Sequence, residues 1–336
     1  EMNIRDWSSD VCSSDLAQDN MMSQYTIGFS NLDEENPFTV TVRRNLQAAV
    51  AKHPDIRLIV RNNALHTPTA KQHAQEFADV PVDLAIIFHI DERAGMEITN
   101  PLRRRGIPIV SIDIPIMLTT FFGINTQQAG TVAGDALAEW VQRHWDGKLD
   151  KILVMTEYRV LDVFQQRFDY AVKAIQDRLG ADQGQVMEVD NGGERSVTAE
   201  RVGTLLNTGW KGQNRIAVVC MNDKIAAGVL DAVRQLGCEE RVAVLSFDGT
   251  AVALEEFRKP HSRLIVSPSF RADLYGTGLL TLAERILSGE RVPTQNYVQP
   301  FGLTRWNFED HLELFSIAPD DERESDILSN AEASQT

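Results

Sequence analysis

Short apolar runs alternate with amphipathic stretches from Tyr25 to about Leu303. The runs predict strands at YTIGFS (25–30), RLIV (57–60), DLAIIF (83–88), IPIVSI (107–112), KILVMT (151–156), QVMEV (185–189), RIAVVCM (215–221), VAVLSF (242–247) and RLIVS (263–267). Most are continuously apolar, the pattern of parallel strands covered on both faces. Between them the apolar positions take helical spacing. Val42, Leu46, Ala49 and Val50 share one face, and so do Ala133, Leu137, Trp140 and Val141. Asn36-Pro37 reads as an N-cap followed by proline in the first turn. Strict strand–helix alternation predicts an α/β fold of doubly wound parallel sheets. About four units precede Phe121 and about four follow Gly123, so two lobes of similar size are expected.

Composition narrows the functional classes. The 336 residues are 43% apolar, enough for two packed cores, and carry a net charge of −15. That acidity argues against direct contact with nucleic acid, which needs a positive surface. No apolar run approaches the roughly 18 residues of a membrane span. Cys12, Cys220 and Cys238 form no zinc-type spacing, and a Cys220–Cys238 disulfide stays open. No nucleophile elbow, P-loop or metal-ligand set is present, so neither enzyme activity nor a cofactor is expected.

Doubly wound sheets bind ligands beyond the carboxyl ends of their strands. There the chain places Asn36 and Phe38, His89 and Asp91, Asp113, Asn222, Asp248, and Ser269 with Phe270. Carboxylates and amides match the paired donors and acceptors of adjacent hydroxyls, and an aromatic ring packs on the C–H face of a sugar. Each polar residue alone is equally a helix cap or turn former. Their recurrence at so many strand ends favours a hydroxyl-rich ligand. For His89, a ligand contact and a histidine satisfied by nearby backbone stay equally open.

Five segments carry a family resemblance: YTIGFSNLDEENPF (25–38), FGINTQQAG (122–130), CMNDKIAAGVLDAVRQLG (220–237), VLSFDGT (244–250) and LYGTGLLTLAERILSGERVP (274–293). The chain resembles the type I periplasmic sugar-binding proteins of the ribose-binding branch and the related effector domains of lactose-repressor-type regulators. The resemblance implies two lobes joined by hinge strands, residues 25–122 plus 270–292 in the first and 123–269 plus 293–306 in the second. It implies an interlobe cleft in which Phe38 stacks on the ligand, Asp113 takes hydroxyls from the first lobe, and Asn222 and Asp248 take them from the second. Two arginines of the ribose binders are replaced, one by Ile114 after Asp113, the other by Phe164 or Gln165, with Arg159 or Arg271 as compensating candidates. The ligand expected is therefore a small sugar or polyol other than ribose. The resemblance also implies a periplasmic location and an ABC permease as partner; the alternative is a sugar-responsive cytoplasmic regulator domain lacking its DNA-binding part.

Both ends depart from this pattern. Arg5 to Leu16 reads RDWSSDVCSSDL and resembles a translated sequencing-adapter oligonucleotide, so residues 1–24 are expected to be an artefactual or disordered leader. Residues 307–336 are acidic and lose apolar rhythm, as expected of a largely disordered tail.

Overall fold

The computed structural model describes residues 25–80, 82–157 and 162–315. The expected leader (1–24), Arg159 and the tail from 316 lie outside these residues.

Strands β1 (Tyr25–Asn31), β2 (Ile56–Asn62), β3 (Leu84–Phe88), β4 (Ile109–Ile112) and β5 (Thr120–Ile124) form the first sheet with a late strand, β11 (Gln295–Val298). Its order is β11-β5-β4-β3-β1-β2 and every pairing is parallel. Strands β6 (Lys151–Thr156), β7 (Val186–Asp190), β8 (Ile216–Cys220), β9 (Val242–Leu245) and β10 (Leu264–Val266) form the second sheet, ordered β10-β9-β8-β6-β7 and also parallel. β3 and β8 are buried along their whole length, which is why they read as unbroken apolar runs.

Helices cover both faces of each sheet. On the first lobe α1 (Pro37–Val50) packs beside the late helix α9 (Ala272–Leu287), and α2 (Thr67–Asp79) beside α3 (Glu92–Arg104). On the second, α4 (Thr126–Trp145) packs beside α5 (Asp162–Leu179), and α6 (Arg195–Asn207) beside α7 (Asp223–Gln235); α8 (Ala251–Arg258) leans on α7 and β10. The α1 face expected from spacing is buried, with Val42 and Leu46 fully inside. Gly276 lets α9 approach α1, since a Cβ there would stand 2.2 Å from the Asn45 backbone. No described helix is long and apolar enough to cross a membrane. Cys220 and Cys238 are free thiols.

The chain passes between the sheets three times: after β5 into α4, after β10 through Ser267–Ala272 into α9, and after β11 into residues that pair with the second crossing at Ser269↔Phe301 and Val266↔Thr304. Three sequence expectations need correction. β5 extends the first sheet to Ile124, so the first lobe does not end at 122. β11 pairs with β5, so residues 295–298 belong to the first sheet and not to the second lobe. Residues 307–315 are not all tail: Phe308–Phe315 forms 3-10 turns broken by a kink at His311, with Phe308 buried against Phe257.

Candidate functional site

The carboxyl ends of the two sheets face each other across a cleft of about 770 Å³, a volume suited to a small ligand. The loop after β1 forms one wall. Asp33 accepts from the backbone N–H of Glu35 at 2.8 Å and Asn36 at 2.6 Å. Asn36 then caps α1, its Oδ1 accepting from Phe38 N at 2.9 Å. This stitching fixes Phe38, whose ring stands edge-on to Phe88 (6.4 Å), Phe270 (6.3 Å) and Tyr275 (5.3 Å).

Asp113 follows β4 with φ 56°, a left-handed conformation unusual for a side chain larger than glycine. Its Oδ1 accepts from Ile124 N at 3.2 Å and from the Tyr275 hydroxyl at 2.6 Å. Burial raises its pKa to about 6, with the Tyr275 and Ile124 hydrogen bonds and the Arg167 charge opposing. From the second lobe, Asp248 follows β9 with φ 95°, its backbone bridged to Ser269. Burial also raises its pKa, Arg167 opposes, and Asp223 and Asp113 add to the rise. Two carboxylates on left-handed or otherwise positive-φ backbone, one from each lobe, thus share one small volume.

Arg167 stands between them. It is 4% exposed, donates from Nη1 to the Met221 carbonyl at 3.3 Å, and lies 3.7 Å from Asp248 Oδ1. Its guanidinium carbon is 5.4 Å from the Phe247 ring centre and 5.5 Å from that of Phe270, within cation–π range. Burial lowers its pKa, opposed by Asp248 and Asp113; an arginine keeps its charge under such pressure.

Asn222 caps α7, its Oδ1 accepting from Ile225 N at 3.0 Å, so its amide nitrogen is left to the cleft that it lines. Asp223, next to it, is 2% exposed and accepts from Thr250 N (2.7 Å), the Thr250 hydroxyl (2.8 Å) and the Ser267 hydroxyl (2.6 Å). It ties α7, α8 and the second crossing together. Among cleft-lining residues the acids Asp33, Glu35, Asp113, Glu157, Glu194, Asp223 and Asp248 outnumber the cations Arg167 and Lys224. Among the described residues no group of three or more His, Cys, Asp or Glu side chains is placed to hold a metal ion.

Of the residues expected from sequence, Asn36, Phe38, Asp113, Asn222, Asp248 and Phe270 line the cleft. Others do not. His89 is 2% exposed and points behind the wall, with Nε2 3.2 Å from the Thr67 hydroxyl. Asp91 caps α3, accepting from Ala94 N at 3.1 Å and the Thr67 hydroxyl at 3.2 Å. Ser269 Oγ accepts from Arg271 N at 3.1 Å, and the residue is not among those lining the cleft. Gln165 accepts from the Thr156 hydroxyl and donates to Asp169. The Phe164 side chain lies outside the described structure. Arg271 pairs with Asp273 at 2.8 Å and is not among the cleft-lining residues. The guanidinium expected to be missing is present as Arg167, one helical turn beyond Phe164 on α5. Sequence reasoning also passed over Asp223 and Tyr275.

The fold has counterparts among solved structures. A structure of an ABC-transporter solute-binding protein from Agrobacterium vitis with bound allitol superposes with a TM-score of 0.75 at 15% identity, covering 87% of this chain and 99% of that one. One from Bacillus halodurans with bound myo-inositol gives 0.74 at 22% identity, covering 88% and 100%. A periplasmic solute-binding protein from Actinobacillus succinogenes with bound D-allose gives 0.73 at 18% identity, covering 85% and 99%. No curated protein sequence gives a significant match. The family described as periplasmic binding protein domain matches residues 27–291, nearly the whole of both lobes. The chain belongs to the periplasmic binding protein domain family.

Proposed function

We propose that this protein captures a small neutral sugar or polyol between its lobes and delivers it to an ABC permease, as an extracytoplasmic binding protein without catalytic activity. One observation carries the reading: Asp113 from the first lobe and Asp248 from the second meet Arg167 within a cleft walled by Phe38 and Phe270. Vicinal hydroxyls satisfy such a set, each donating to a carboxylate and accepting from Arg167, Asn222 or Asn36. Contacts from both lobes give the closed form its higher affinity, which is what closure requires. The neutral sugar and polyol ligands of the structural counterparts support the same class.

Thermal-shift measurement with D-allose, allitol and myo-inositol tests the assignment. A ligand at 100 times its Kd adds about 2.7 kcal/mol of stability. A rise with one of these, and none with amino acids or inorganic phosphate, is expected. A rise only with an amino acid or an anion would refute the ligand class.

A further inference from the structure

The Asp113 carboxylate is bonded on one oxygen only. Tyr275 OH and Ile124 N both donate to Oδ1, at 2.6 and 3.2 Å, and no described residue donates to Oδ2. The carboxylate lines the cleft, so the oxygen left over is the one available to a ligand. Tyr275 lies on α9, outside the cleft lining, and is fully buried. Its ring is clamped edge-on by Phe38 (5.3 Å, 83°) and Phe122 (5.3 Å, 86°), which aims its hydroxyl and leaves it no freedom to follow another partner. β5 supplies the space: a Cβ on Gly123 would stand 2.4 Å from Asp113 Oδ1.

We infer that Tyr275 is a positioning residue for ligand capture: by holding Oδ1 it fixes the carboxylate plane and presents Oδ2, as an anionic acceptor, to a ligand hydroxyl. This rests on the reading of the cleft as a sugar or polyol site. A short O–H···O⁻ bond is among the stronger hydrogen bonds, and it stabilises the ionised form of its acceptor. The groups facing Asp113 are few. Arg167 of α5 attracts the ionised form, Asp248 stands beyond it, and Tyr275 supplies the donor from α9. Without the hydroxyl, a carboxylate this buried holds its proton more readily and turns more freely. A protonated acid then competes with the ligand hydroxyl as a donor. Because α9 follows directly on the second crossing, and Asn45 of α1 donates to Ala272 O at 3.1 Å, one helix holds both the Phe38 wall and the Asp113 acceptor.

The test is Tyr275→Phe, which keeps the ring and removes the donor. Calorimetric affinities for D-allose, allitol and myo-inositol are measured from pH 5.5 to 8.5. Binding is expected to weaken roughly 10- to 100-fold at pH 7, and the acid limb of the affinity profile to move to higher pH. In an Asp113→Asn background the same change is expected to cost much less. Wild-type affinity with an unshifted acid limb in Tyr275→Phe, or an equal loss in both backgrounds, would overturn the assignment. If Tyr275→Phe fails to fold, site-specific 3,5-difluorotyrosine at 275 replaces it; its more acidic hydroxyl is expected to move the acid limb to lower pH, and an unmoved limb overturns the inference. A wild-type protein that binds none of the three ligands defeats the cleft reading itself. Wild-type binding with an unchanged Tyr275→Phe defeats only the role of Tyr275.

Discussion

Arg167 and Asp248 face each other at 3.7 Å between Nη1 and Oδ1, with Phe247 and Phe270 walling the guanidinium. The separation exceeds a direct hydrogen bond. The pair is attracted electrostatically at a separation that a hydroxyl lying beside it can bridge. A buried guanidinium and a partly exposed carboxylate held apart in this way cost stability in the empty protein, and a ligand hydroxyl bridging them recovers part of that cost.

Arg167→Met is expected to abolish most binding, by more than about 100-fold, because it removes the donor and leaves Asp248 beside Asp223 with no cation. Arg167→Lys is expected not to restore affinity, since an ammonium cannot reproduce the planar fork. Calorimetry with circular dichroism as a folding control decides it; wild-type affinity in Arg167→Lys would show that charge alone suffices.

Asp113→Asn is expected to stabilise the empty protein at pH 8 and not at pH 3. In the fold the Asp113 pKa is about 6, above its ordinary 3.8, because burial disfavours the charge. The folded state therefore holds the proton more tightly than the unfolded chain. The penalty is absent below the unfolded value, builds as pH rises from about 3.8 to about 6, and is complete above that. Two pKa units correspond to about 3 kcal/mol, an upper bound for the gain at pH 8. Asparagine still accepts from Tyr275 and Ile124, so the local bonds persist while ligand affinity falls. Melting curves of both proteins across that pH range check the sign; an equal shift at both pH values would contradict it.

Much of this arrangement was legible in the sequence. Strands buried on both faces announce themselves as apolar runs, whereas β11 does not: only Val298 of its four residues is buried, because it lies at the sheet edge. The strand-end rule pointed to Asp113, Asn222 and Asp248, and all three line the cleft. It could not separate neighbours, because successive side chains in extended chain point opposite ways. Phe88 and Ile90 face the cleft, so His89 between them faces the packed layer behind. Capping and cleft lining also coincide in one residue: Asn222 caps with its oxygen and leaves its nitrogen. Arg167 and Tyr275 sit within helices, where no strand end points to them, and only the packing of α5 and α9 brings them in.

Gly123→Ala is expected to damage the site from behind. Its Cβ would stand 2.4 Å from Asp113 Oδ1 and 2.9 Å from Asp113 Cα, so backbone must move. A loss of about 1–3 kcal/mol in stability and of more than about 10-fold in affinity is expected. Gly203→Ala, on α6 with open space around it, is the control. It is expected to gain up to about 1 kcal/mol from helix propensity and leave affinity unchanged. Equal behaviour of the two variants would refute the close-packed reading of Gly123.

Anionic relatives of the ligand are expected to bind at least about 100-fold more weakly than the neutral compound. Each cleft cation already faces a carboxylate, Arg167 facing Asp248 at 3.7 Å and Lys224 paired with Glu194 at 2.9 Å. Acids still outnumber cations along the cleft wall, with Asp33, Glu35, Asp113 and Asp223 beside the two pairs. A unit negative charge placed ~5 Å from one carboxylate meets roughly 3 kcal/mol of repulsion at an effective dielectric of about 20. An aldonate or a sugar phosphate carries that charge, while the parent sugar or polyol does not. Competition calorimetry compares each acid with its neutral parent at low and high salt. The gap is expected to narrow only modestly with salt, because the facing groups are buried and screened less than surface charges. Equal affinity for the acid and its parent would mean that Arg167 is released to the ligand on binding, and the electrostatic account of the cleft would then be wrong.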